Sequence, residues 1–381
     1  MSQPTVTQGI RGFVEPAYGR RSLGDVLPAV AAALGADAGF PDVGLELPAA
    51  PSYVVMLVDG MGQELLGRHR DHAPYLHSLL AGSEGGTAGV PSTTATSLAS
   101  LGTALTPGEH GLVGYTSRVP GTDHLLNALY WDKDVDPLEW QPHDTAFDRL
   151  GRAGVITTTV SKRVFAGSGL TVSSQRGAEH LGADVMGERI AGAVTSSARS
   201  PSVTYVYDGD LDWIGHRHGV DSPAWRQQLM ALDGAAEQLR DSLAPTTRLI
   251  VLADHGMVDS EVGSRFDVDS VPGMRDGVEL VGGEARFRHV YCRPGAVEDV
   301  AAIWRTILGP NALVLTREVA IERGWFGHVE DRVRPRLGDV VAACAGDTAI
   351  MSSKDFPFEH KLIGMHGSLT PDEMLVPLLV D

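Results

Sequence analysis

The sequence predicts an α/β fold: a mostly parallel central sheet flanked by helices on both faces, with a small α+β subdomain inserted beside it. Three observations point there. Strand-like runs at 53–58, 202–207 and 248–253 each lead directly into Asp-containing turns. Helical patterns at 145–153 and 224–243 alternate with strand patterns, as in a sheet covered on both sides. The stretch 265–335 breaks that alternation.

Taken in order, residues 1–50 are rich in Gly, Ala and Pro, with one helical patch at 22–34. Arg20-Arg21 before the Ala-rich stretch 26–36 faintly suggests a twin-arginine export signal. Asp25 and Pro28 interrupt it, so an ordinary amphipathic helix and a cytoplasmic location are expected. The run 53–58 is apolar throughout, as expected for a strand buried on both faces. It ends in Asp59-Gly60-Met61-Gly62. A hydroxyl cluster, Ser92-Thr93-Thr94-Ala95-Thr96-Ser97, opens a helix that runs to Gly102. A helix at 145–153 and a strand at 155–160 follow. The second Asp-ended strand, at 202–207, leads to Asp208, Asp210 and Asp212; the third, at 248–253, leads to Asp254-His255-Gly256. Within the inserted unit a strand (285–292), a helix (297–308) and a strand (312–316) are expected. Residues 338–343 then return to the core and 374–380 form the last strand. The expected division is a core of 1–264 and 336–381 with an insertion or cap at 265–335.

The chain has 381 residues and a formal net charge of -17. Its mean field repels phosphate, so no binding of nucleic-acid backbone is expected. A phosphate ligand would need local positive charge, which bound cations supply. Cys292 and Cys344 are far apart, and no CxxC exists to suggest a thiolate metal site or a disulfide framework. No apolar run approaches the ~18 residues of a membrane helix.

Asp59, Asp212, His216, Asp254, His255 and His366 follow predicted strands or lie in Gly-rich loops. Six O/N donors without cysteine suit two divalent ions of the zinc or manganese kind. Asp212 and His216 are one helical turn apart and share a face. Asp208 and Asp210 compete with Asp212, and His218 with His216. Adjacent Asp254 and His255 are expected on opposite sides, each serving a different ion. A hydroxyl at 92–97 could be an N-cap or a nucleophile, since a helix N-terminus favours an anion and a metal lowers the pKa of a coordinated hydroxyl.

These motifs in this order resemble the alkaline phosphatase superfamily, in its type I phosphodiesterase/nucleotide pyrophosphatase branch. The resemblance rests on Val58-Asp59-Gly60, Pro91-Ser92-Thr93-Thr94, Thr106-Pro107-Gly108-Glu109-His110-Gly111, the 212–216 pair, Asp254-His255-Gly256 and Gly364-Met365-His366-Gly367, and spans residues 53–381. It implies an alkaline phosphatase-like fold and a small-molecule phosphate ester substrate. It also implies a threonine nucleophile between two zinc ions. Counting back from Pro107 puts that nucleophile on Thr94, with Thr93 the alternative. The resemblance assigns Asp59, Thr94, Asp254 and His255 to one ion, and Asp212, His216 and His366 to the other.

Two departures concern the substrate. The family's Asn after the His-Gly motif is absent from His110-Gly111-Leu112-Val113-Gly114-Tyr115, and the aromatic residue after the nucleophile is Ala95. Tyr115 or Asn127 are the candidate replacement phosphate donors, with Tyr115 and Trp213 as stacking platforms. A phosphomonoesterase or phosphonate-cleaving enzyme of the same superfamily is the alternative, followed by a metal-stabilised binding protein without turnover.

Overall fold

The structure is a computed structural model describing residues 12–381. Its main sheet has the order Leu378–Val380, Thr247–Leu252, Ser52–Val58, Ser202–Asp208, Ile156–Ser161, Glu179–Gly182. All pairings are parallel except that of the Leu378–Val380 edge. Ser52–Val58 occupies the centre and is buried at every position, which is why it lacks a polar alternation. Helices cover both faces; Val26–Leu34 packs Val26, Leu27, Val30 and Ala31 into the main core.

A second, antiparallel sheet has the order Val278–Glu284, Phe287–Cys292, Val340–Cys344, Ala312–Thr316. Residues 338–343 were expected to return to the core, and they reach it from the second sheet, not from the main one. Val340–Cys344 is an inner strand of the second sheet, buried along its whole length. Its alternate residues face two cores. Val340, Ala342 and Cys344 pack with Val290, Val314 and Trp304, while Val341 and Ala343 join Phe287 and Leu315 in the main core. A run apolar on both faces is consistent with either sheet, so its sequence alone did not decide between them.

The single strand expected at 374–380 is also divided. Met374 ends the helix Pro371–Met374, Leu375–Val376 pairs with Gly86–Thr87, and Leu378–Val380 joins the main sheet. Pro377 stands at the break, where its missing N–H prevents a continuous ladder.

The consequence for function is positional. Three adjacent parallel strands, Ser52–Val58, Ser202–Asp208 and Thr247–Leu252, end on the same edge of the sheet. Open α/β sheets present ligand sites at that edge.

Candidate metal centre

Asp59 directly follows the central strand, Asp254 lies just past its neighbour on one side, and Asp212 lies in the first turn of the helix Asp210–His218 on the other. Asp212 and His216 face each other across that turn, with His216 Nε2 3.3 Å from Asp212 Oδ2. The competitors are occupied elsewhere. Asp208 is paired with the buried Arg189, Asp210 accepts from Lys162 at 2.6 Å, and His218 is exposed.

His255 Nε2 lies 3.4 Å from Asp59 Oδ1, 3.4 Å from Asp254 Oδ2 and 3.2 Å from Thr94 Oγ1. Asp254 and His255 therefore point the same way, contrary to the alternation expected of adjacent residues. The strand ends at Leu252, so the two-residue period does not extend to positions 254 and 255. Gly256 makes this turn possible: a Cβ there would sit 1.9 Å from the Asp372 carbonyl oxygen and 2.9 Å from Gly62 Cα.

Thr94 is the first residue of the helix Thr94–Thr103 and Thr93 is its N-cap. Thr94 Oγ1 donates toward Asp59 Oδ2 at 3.4 Å, whereas Thr93 faces Glu284 instead. His366 completes the group, with Nε2 3.8 Å from Asp212 Oδ1 and its ring stacked on His255 at 3.7 Å between centroids.

The chemistry of these donors fits metal ions. The Nδ1–H of His216 donates to Gly364 O at 2.8 Å, that of His255 to Gly256 O at 3.0 Å, and that of His366 to Ser92 O at 3.1 Å. A carbonyl only accepts, so each ring presents a free Nε2 lone pair to the carboxylates. Asp59 Oδ1, Asp212 Oδ1 and Asp254 Oδ2 are buried without a hydrogen-bond partner among the described residues. Two triads have ligand atoms within 4.8 Å of one another: Asp212, His216 and His366, and Asp59, Asp212 and His255.

Electrostatics agree. Burial, then the charges of Asp254 and Asp212, push the Asp59 carboxyl well above its usual range, and burial raises Asp254. Burial opposes ionisation of Asp212 too, but His216, with His366 and His255, draws it below the usual range. Burial lowers His216, and the facing Asp212 more than reverses that. His366 is held well below the usual imidazole range by burial and by His255. Three buried carboxylates this close are costly without compensating cations.

Tyr115 is half-buried beside Glu284. Asn127 uses its side-chain oxygen to accept from the amides of Leu129 and Tyr130, at 3.0 and 3.1 Å, which caps its own turn. Sequence reasoning missed two neighbours. Tyr207 OH donates to Asp59 Oδ2 at 2.5 Å. Lys162 lines, with Phe165, Tyr207 and Trp213, a cavity of about 310 Å³ beside the centre. Lys162 follows the strand Ile156–Ser161, so its position at a strand end was the available signal. A larger cavity of about 690 Å³, lined by Arg68, His69, Asp221 and Asp372 among others, holds none of the candidate ligands.

The chain is a phosphoryl-transfer hydrolase of a metal-dependent family, and these clusters are its candidate metal-binding groups. The chain belongs to the type I phosphodiesterase / nucleotide pyrophosphatase family, whose sequence model matches residues 53–369, and it acts on phosphoric ester bonds. Murine ectonucleotide pyrophosphatase / phosphodiesterase 5 is 18% identical with a TM-score of 0.67, covering 86% of this chain and 87% of that one. An inactive threonine-to-alanine form of that murine protein, in complex with AMP, is also similar, with a TM-score of 0.66 and 18% identity over 87% of each chain. Phosphonoacetate hydrolase from Sinorhizobium meliloti, in complex with phosphonoformate, is 17% identical with a TM-score of 0.64, covering 88% of this chain and 91% of that one. GPI ethanolamine phosphate transferase 3 of Schizosaccharomyces pombe is 39% identical over 59 residues, which is 15% of this chain but 6% of that protein. Among the described residues, no helix is long and apolar enough to cross a membrane.

Proposed function

We propose that this chain hydrolyses small-molecule phosphodiesters through a Thr94 nucleophile and two divalent cations, zinc or manganese. The observation that carries the reading is the position of Thr94 Oγ1 at a helix N-terminus, 3.2 Å from His255 Nε2 and 3.4 Å from Asp59 Oδ2. The inactivity of the threonine-to-alanine murine relative points the same way.

Asp59, Thr94, Asp254 and His255 would hold one cation, and Asp212, His216 and His366 the other. Bound there, the cations supply positive charge that lowers the pKa of the Thr94 hydroxyl and of an attacking water, and offsets charge on the phosphoryl oxygens. Thr94 Oγ attacks phosphorus in line. As the Oγ–P bond forms, the bond to the leaving alcohol breaks and that alcohol takes up the Thr94 proton, giving a phosphothreonine that retains the substrate's second ester group. Water then attacks phosphorus from the vacated side, the Oγ–P bond breaks, and Thr94 regains its proton. The helix N-terminus under Thr94 stabilises its alkoxide.

The leaving group has a place in the cavity lined by Lys162, Phe165, Tyr207 and Trp213. Ala95 offers no stacking surface, so a nucleotide gains no base sandwich at that position. A second reading is cleavage of a phosphomonoester or phosphonate, whose additional charge the Lys162 ammonium would meet on leaving its ion pair with Asp210. We place the inserted cap at 265–335, extended by its partner strand Val340–Cys344. Cys292 and Cys344 are free and buried, which favours the cytoplasm.

The test is turnover of bis-p-nitrophenyl phosphate against p-nitrophenyl phosphate with added zinc or manganese. Thr94→Ala should abolish turnover and keep the metal, while Thr93→Ala should still turn over, slowed by no more than the roughly 100-fold that loss of positioning costs. The reverse pattern would move the nucleophile by one residue, and a monoester preference would change the assigned substrate class.

A further inference from the structure

Glu284 ends the strand Val278–Glu284 in the second sheet and turns its carboxyl toward the metal centre's supporting loops. It is only 7% exposed, and neither carboxyl oxygen has a well-formed hydrogen bond among the described residues. Three segments meet around it. The first is Thr93, the N-cap before Thr94, whose hydroxyl faces the carboxyl. The second is the backbone amide of Tyr115, at the position where the family's Asn is missing. The third is Gly367, directly after His366, where a Cβ would approach Glu284 Cγ to 2.7 Å. The first and third segments are themselves joined, since Ser92 N donates to Gly367 O at 3.1 Å.

We propose that Glu284 is a positioning residue for the reaction, fixing from the second sheet the Thr93 turn that aims Thr94 and setting its spacing from the Gly367 segment that carries His366. A purely structural role explains the residue poorly. Burying a carboxyl without full hydrogen bonding costs more than filling the same space with an apolar side chain. The nearby Arg288 spends Nε on Ile350 O and Nη2 on Glu359, and its Nη1 makes no hydrogen bond to Glu284. Burial pushes the Glu284 carboxyl up to about 8, against the smaller opposing influences of Thr93 and Arg288. Its acid form is nearly isosteric with glutamine.

The inference rests on Thr94 being the nucleophile, and the two readings separate experimentally. Activity surviving in Thr94→Ala defeats the nucleophile assignment, whereas the role of Glu284 is read from its own variants. A misplacement near 1 Å costs about 100-fold in rate. Glu284→Ala should therefore lower kcat/KM of the metal-loaded enzyme by roughly 10- to 100-fold, chiefly through kcat, with metal content unchanged. Glu284→Gln should restore kcat to within about fivefold of wild type, because the amide keeps an acceptor and a donor in place. Gly367→Ala, which crowds the same carboxyl without removing it, should reproduce the loss. A kcat/KM in Glu284→Ala within about threefold of wild type overturns the proposal, as does an equal loss in Glu284→Gln or a loss explained by missing metal.

Discussion

Tyr207→Phe isolates one hydrogen bond at the metal centre. The Tyr207 hydroxyl donates to Asp59 Oδ2 at 2.5 Å, leaving Asp59 Oδ1 without a partner and facing His255. That bond orients Asp59 and favours its ionised form, against the burial that pushes the carboxyl upward. Phenylalanine keeps the ring and its edge contact with Phe165, so no cavity opens. A hydrogen bond to a charged acceptor is worth about 1.5–3 kcal/mol, which corresponds to roughly 10- to 150-fold in affinity. Loss of an outer-shell partner of a metal ligand characteristically costs about 10- to 100-fold. The two ranges agree. Titration against a competing zinc chelator should show one of two sites weakened by about that factor and the other nearly unchanged. The weakened site should also grow more sensitive to acid, because the proton competes better for Asp59. At saturating metal, kcat should stay within about threefold of wild type, since Phe leaves Thr94 and the ligands in place. Equal affinities at both sites in wild type and Tyr207→Phe would refute the reasoning, as would activity that no metal concentration restores.

Asp212 belongs to both ligand triads, so Asp212→Ala should take the metal content from two ions per chain to one or fewer, measured by elemental analysis after dialysis. Retention of two ions would remove Asp212 from the centre. Gly256→Ala forces a methyl against the Asp372 carbonyl and Gly62, where only backbone can yield; urea unfolding should show a loss of about 1–3 kcal/mol together with weaker metal binding. Acid stability follows from two histidines outside the centre. Burial lowers His110 to about 3 and His289 to about 4, while the unfolded imidazoles titrate near 6.5. Below that value the unfolded chain takes up protons that the native state refuses. Stability should therefore fall from about pH 6.5 toward pH 4, by ~1.4 kcal/mol per pH unit for each histidine. His289→Gln should reduce the slope of unfolding free energy against pH over that window, and an unchanged slope would sink this account.

The candidate metal centre was legible in part because Asp59 and Asp254 follow apolar strand runs, a signal that Asp208 and Asp210 shared with Asp212 until the structure gave both other partners. The fold class was legible for the same reason. Tyr207 was not, because a tyrosine within a buried strand looks like core until the neighbouring strand puts Asp59 beside its hydroxyl. The sheet membership of Val340–Cys344 was hidden by burial on both faces. Glu284 carried no signal either: a lone glutamate before a hairpin reads as solvated, and only the packing of a distant segment encloses it. The relation between Asp254 and His255 failed differently, because strand periodicity was carried past the strand's end. The Thr106-to-Gly111 motif was correctly located but has a structural role here. Its Thr106 and Glu109 cap one short helix, and the buried His110 bonds Ser100 at 3.0 Å.

The two-faced strand Val340–Cys344 bears on how this enzyme could be re-engineered. The unit it belongs to is grafted into the body of the protein and cannot be lifted away as a separate module. Excising residues 265–335 would strip Val340–Cys344 of both partner strands and take Phe287, Leu315, Ala320, Trp325 and Phe326 out of the main core. Exchanging such a segment between relatives would therefore alter the foundation of the main core along with the insertion. Single replacements around the cavity, at Lys162, Phe165 or Trp213, leave that foundation untouched.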